Sequence, residues 1–76
     1  AALTEIDALL SREPSDPILL RVRGMTLYRL GRMADAEAAL RRAVAAAPDD
    51  PAAQYWLGAT LHERGDRAGA RGAFAA

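Results

Sequence analysis

Residues 16–31 read DPILLRVRGMTLYRLG, and thirty-four positions later residues 50–65 read DPAAQYWLGATLHERG. The two stretches share Asp, Pro, Gly, Thr, Leu and a closing Gly in one register, while nearly everything between differs. The shared residues are the ones that start and stop helices. Asp16 and Asp50 suit the N-cap, where a short carboxylate accepts from the free N–H groups of the first turn. Pro17 and Pro51 then take the first helical position, where a missing N–H costs nothing. Gly31 and Gly65 end each segment by adopting the left-handed conformation. This frame predicts one helix over 17–30, with Leu20, Leu27 and Leu30 among its apolar positions, and a second over 51–64.

The same interval continues outside the frame. It relates Pro14 to Pro48, Gly24 to Gly58, Ala36 to Ala70 and Leu40 to Phe74. A fixed period of this size marks a repeat architecture. Between the two frames, Arg32 and Met33 lead into a further helix over 34–46. There Ala36, Ala39, Leu40, Ala43 and Val44 fall on one stripe at helical spacing. Glu37 and Arg41 stand four apart in the favourable order for a surface pair, and Pro48 stops the helix. Residues 1–12 carry Leu3, Ile6, Leu9 and Leu10 on one stripe before Pro14. Residues 67–76 begin another helix, weakened by Gly69 and Gly72 and expected to fray. The expected organisation is one domain. Residues 1–14 are the second helix of a preceding unit, 17–50 a complete unit, and 51–76 the first helix and the start of the second helix of the next.

These spacings resemble the tetratricopeptide repeat, whose pattern is Trp-x2-Leu-Gly-x2-Tyr, then Ala-x3-Phe, then Pro. It appears as Leu20-x2-Arg23-Gly24-x2-Leu27, Ala36-x3-Leu40 and Pro48, again as Gln54-x2-Leu57-Gly58-x2-Leu61 and Ala70-x3-Phe74, and before them as Ala2-x3-Ile6 and Pro14. The resemblance covers essentially the whole chain. It implies an all-α fold of antiparallel helix pairs stacked as a right-handed superhelix; with no initiator Met, the chain is expected to be a piece of a longer bacterial protein. Gly24 and Ala36, like Gly58 and Ala70, are small where the two helices of a unit should cross. Leu40, Phe74 and Val44 fill the space toward the next unit. Arg23 departs from the family's Leu, and is expected to lay its methylenes along the core and bring its charge to the edge. Gln54 departs from the family's Trp. Trp56 is expected to anchor the packing between units.

Composition excludes several kinds of chemistry. The chain has 76 residues and no Cys, so it has no disulfide or thiolate zinc site to support a small core. A single His argues against a His-rich metal site. Asp49 and Asp50 offer too few oxygens for calcium. Net charge is zero and the pI is near 6.8, which argues against nucleic acid or an anionic membrane as partner. All ten basic residues are Arg, and the joint richness in Arg, Ala and Gly fits a GC-rich genome. No apolar run approaches the ~20 residues of a membrane span, and no targeting signal is visible, so the expected compartment is cytoplasmic. Ser11 and Ser15 have no His and acid arranged around them, and there is no Gly-rich phosphate loop. No enzyme activity, cofactor or metal is expected.

In stacked repeats the first helix of each unit lines the inner surface. The resemblance places Ile18, Arg21, Met25, Tyr28 and Arg29 there in the complete unit, and Ala52, Tyr55, Ala59, His62 and Glu63 in the next. Tyr offers contact area with a polar tip and Arg pairs well with carboxylates. The expected function is a scaffold holding a peptide or helix of a protein partner, with some acidic character, in the concave groove. The clamp some family members use for a C-terminal carboxylate is incomplete here. Met25 and Trp56 stand where Asn would be needed. Two alternatives remain open. One is self-assembly through exposed end faces, Leu3/Ile6/Leu10 and Leu61/Phe74. The other is a positioning role for a catalytic domain elsewhere.

Overall fold

The computed structural model describes residues 2–65, and all of its regular structure is helical: α1 (Ala2–Arg12), α2 (Pro17–Arg29), α3 (Met33–Ala46) and α4 (Pro51–Glu63). The expected helix over 67–76, with Ala70 and Phe74, lies outside the described residues.

The start signals work as the residues suggest. The Asp16 carboxylate accepts from the N–H groups of Ile18 and Leu19 at 2.9 and 3.3 Å, and Asp50 accepts from Ala52 N–H at 3.0 Å. Both stay in the extended region, with proline at the start of the helix that follows. The stop signals are equally local. Gly31 has φ +80°; its N–H donates to Tyr28 C=O, while Arg32 N–H donates to Leu27 C=O. This paired closure uses a left-handed residue to satisfy the last carbonyls of α2. Gly65 repeats the conformation after α4, at φ +84°. The other second-helix start differs by one residue, since α3 begins at Met33 and its N-cap Arg32 makes no side-chain cap bond.

The helices form two layers. α2 lies against α1, α3 and α4, and α3 lies against α2 and α4. α2 and α4 therefore share one layer, with α1 and α3 on the other side. The core runs along their junction in three clusters: Leu27/Ala36/Ala39, Leu20/Ala43/Ala53 and Leu40/Leu57/Leu61. Gly24 is buried at the α2–α3 crossing, where a Cβ would run into the Leu40 side chain. Ala36 and Ala43 are fully enclosed on the facing helix. Thr60, also fully enclosed, satisfies its hydroxyl by donating to Trp56 C=O at 2.8 Å. Arg23 donates from Nε to Asp7 on α1 at 2.8 Å, which brings its charge to the edge of the core. Gln54 donates to Pro48 C=O at 2.6 Å and ties the α3–α4 connection.

Several expectations about exposure are corrected. Leu30 is 59% exposed, because α2 ends at Arg29 and the glycine closure turns Leu30 away from the core. Leu9 is half exposed: α1 packs on α2 alone, which covers only a narrow stripe. Of the end-face residues named for self-assembly, Phe74 lies outside the described residues and the others are buried or partly buried. Ile6 is buried, Leu3 packs on the Leu27/Ala36/Ala39 cluster, and Leu10 packs on the Leu20/Ala43/Ala53 cluster. Leu61 is buried against Leu40 and Leu57.

Candidate protein-interaction surface

The α2/α4 layer carries the residues expected to face a partner. Ile18 and Tyr55 are each about 60% exposed, Arg29, His62 and Glu63 are exposed, and Arg21, Met25, Tyr28, Ala52 and Ala59 are half-buried. Three of the candidates converge on a fourth residue. Trp56 meets the ring of Tyr28 edge-on, with centroids 5.5 Å apart, and that of Tyr55 edge-on at 5.9 Å. The Arg29 guanidinium lies 6.0 Å from the Trp56 ring centroid. Edge-to-face contact is the favoured geometry for aromatic pairs, because ring edges are positive and ring faces negative. A guanidinium at the same ring is attracted by that face. Trp56 and Tyr28 are also rooted in the core, on Leu40/Leu57/Leu61 and on Leu27/Ala36/Ala39. The platform therefore joins the two repeats and is held from beneath.

Arg21 sits differently. Its Nη1 donates to Asp50 at 3.1 Å and 3.4 Å, and both side chains are mostly shielded. Asp50 thus serves two helices, capping α4 and neutralising a cation of α2. Among the described residues, the side chains of Ile18, Met25, Ala59 and His62 make no hydrogen bond, ion pair or ring contact, so they are not tied to the platform.

The role of Trp56 on the surface and the Arg21–Asp50 pair were both missed by sequence reasoning. Trp56 stands beside Tyr55, which was the available signal, but only the packing of α4 on α2 brings it to Tyr28. Arg21 has no carboxylate three or four residues away, so its partner had to be distant, and nothing local says which one.

The opposite layer contains an open cleft of about 510 Å³ between α1 and α3, lined by Asp7, Arg23, Asp35 and Arg42 among others. Each of its charged side chains already has a polar partner, although that of Arg42 is a neutral carbonyl. Arg23 pairs with Asp7, Asp35 lies 3.7 Å from Arg32, and Arg42 donates to Pro14 C=O at 2.9 Å. The aromatic platform is therefore the better candidate for a partner.

A family model for the tetratricopeptide repeat matches residues 1–51 and matches again over residues 27–76. The chain belongs to the tetratricopeptide repeat family. A search of curated proteins found no match. Tetratricopeptide repeats generally mediate protein–protein interaction and are typically non-catalytic scaffolds. Among the described residues, no helix of this tetratricopeptide repeat chain is long and apolar enough to cross a membrane.

Proposed function

We propose that this chain is an interaction scaffold which holds a peptide or helix of a partner protein, with some acidic character, in the groove along α2 and α4. Residues 17–50 act as its complete repeat. Ile18, Arg21, Met25, Tyr28, Arg29, Tyr55, Ala59 and His62 form the groove's lining. The observation that carries this proposal is the cluster Tyr28–Trp56–Tyr55 with Arg29 beside it, an aromatic surface rooted in the core yet open to solvent. Aromatic residues and Arg dominate the energetically important positions of protein interfaces. The test is capture of partners from native lysate by the wild-type chain and by a Tyr28→Ala/Tyr55→Ala variant whose helix content is verified by circular dichroism. Loss of a specific partner from the folded variant supports the groove. An unchanged set of partners refutes it.

A further inference from the structure

We propose that Arg29, rather than Arg21, reads the partner's carboxylate, and that the partner sets an apolar side chain on Trp56 two residues away from it. This rests on the groove function proposed above and makes its chemistry more specific. Both arginines belong to α2, eight residues and so about 12 Å apart along the axis. Arg21 is already neutralised by Asp50, whose carboxylate also accepts from Ala52 N–H. A partner's carboxylate that displaced Asp50 would expose the start of α4, so it would gain little.

Arg29 has the opposite character. It is exposed and makes no ion pair or hydrogen bond with any carboxylate among the described residues; its guanidinium instead lies over the Trp56 ring, 6.0 Å from the centroid. A guanidinium beside a ring can keep its fork of N–H donors free for a carboxylate. Trp56 is held edge-on by Tyr28 and Tyr55, so ring and cation form one pre-oriented pair. Their separation selects the ligand. In an extended segment, residues i and i+2 project to the same side about 7 Å apart. An apolar residue followed two positions later by Asp or Glu spans ring and guanidinium together. Among the described residues, Arg42 in the cleft between α1 and α3 also lacks a carboxylate partner, but it donates to Pro14 C=O and no aromatic residue lines the cleft beside it.

Trp56 is the only Trp, so its fluorescence reports on this site alone. Three acetylated and amidated peptides serve as probes: Gly-Ser-Phe-Thr-Glu-Ser-Gly, the same peptide with Gln for Glu, and the same peptide with Ala for Phe. On wild type, the Glu peptide is expected to bind up to about fivefold more tightly than the Gln peptide, the ratio set by one exposed charge pair. The Ala peptide should bind more weakly than either. The Glu preference should vanish in Arg29→Gln and persist in Arg21→Gln, with circular dichroism confirming that both variants are folded. A preference lost in Arg21→Gln but kept in Arg29→Gln overturns the assignment. Equal binding of the Glu and Gln peptides overturns the carboxylate. A silent Trp56 with all three overturns the inference while leaving the groove to its own test, the Tyr28→Ala/Tyr55→Ala capture.

Discussion

Gly24 and Gly31 are both glycine, seven residues apart, for unrelated physical reasons. Gly31 needs its conformation: φ is +80° and there is open space where a Cβ would go. Gly24 is helical and needs its missing volume. A Cβ there would strike Leu40 Cγ and lie 2.6 Å from its Cδ2. Leu40 is fully buried against Leu57 and Leu61, so it cannot swing aside without disturbing α4. In an exposed helix, replacing Gly by Ala gains about 1 kcal/mol, whereas overpacking a tight core costs about 1–3 kcal/mol. Gly24→Ala is therefore expected to be net destabilising by about 1 kcal/mol, or roughly 4–8 °C in Tm for a chain of this size. Thermal unfolding followed by circular dichroism checks it, and an unchanged or raised Tm would show that the crossing has room to spare. Gly31→Ala should cost about 1 kcal/mol through backbone strain alone. The two sites separate on Asn. Asn tolerates the left-handed region, so Gly31→Asn should recover much of the loss, while Gly24→Asn should be worse than Gly24→Ala.

At the scale of the element, the start of α4 is where capping and inter-repeat packing meet. Asp16 caps α2 and its side chain makes no other hydrogen bond or ion pair among the described residues, whereas Asp50 caps α4 and also binds Arg21. Removing an N-cap oxygen costs about 1 kcal/mol, so Asp16→Ala should lose about that much. Asp50→Ala should lose more, because it also strands a partly shielded guanidinium. Asp50→Asn keeps a capping oxygen and removes the charge, so it should fall between wild type and Asp50→Ala. Urea unfolding of the three variants tests this order. If Asp50→Ala proved no worse than Asp16→Ala, the Arg21 contact would contribute nothing. The same element marks what was legible in the sequence. Asp50, Pro51 and Gly65 announce α4 because caps and turns depend on residues close in the chain. So do the stripe of α3 and the small residues Gly24 and Ala36, which the period brings to a crossing. The partner of Arg21 and the setting of Trp56 depend on how α4 lies on α2. That contact spans about one repeat in sequence and involves positions where the repeats differ.

At the scale of the whole molecule, each described helix touches only helices of its own or the adjacent repeat, so stability is the sum of local units and the junctions between them. One junction is electrostatic and open to titration. The Glu37 carboxylate, on α3, accepts from Arg41 Nε at 2.8 Å and from Arg64 Nη1 at 2.7 Å, just past the end of α4. The hydrogen bond from Arg41 lowers its pKa most, Arg64 adds to the effect, and partial burial opposes both, leaving the net pKa below the ordinary 4.5. A carboxyl whose pKa is lowered by folding stabilises the fold while ionised. That stabilisation is complete above the unfolded value and is lost as pH falls through the lower, folded value. The two guanidiniums are themselves largely exposed, with 55% and 43% of their side-chain area open to solvent, so the network should be modest. At pH 7, Glu37→Gln should melt about 2–8 °C below wild type, taking the network as roughly 0.5–1 kcal/mol. Repeating the melts down to pH 3 removes the effects of other carboxylates, which both proteins share. The gap should hold to about pH 5 and close below 4.5, and high salt should narrow it at pH 7. A gap that persisted unchanged to pH 3 would mean that Glu37 acts through packing, and that α3 and α4 are joined by their apolar contacts alone.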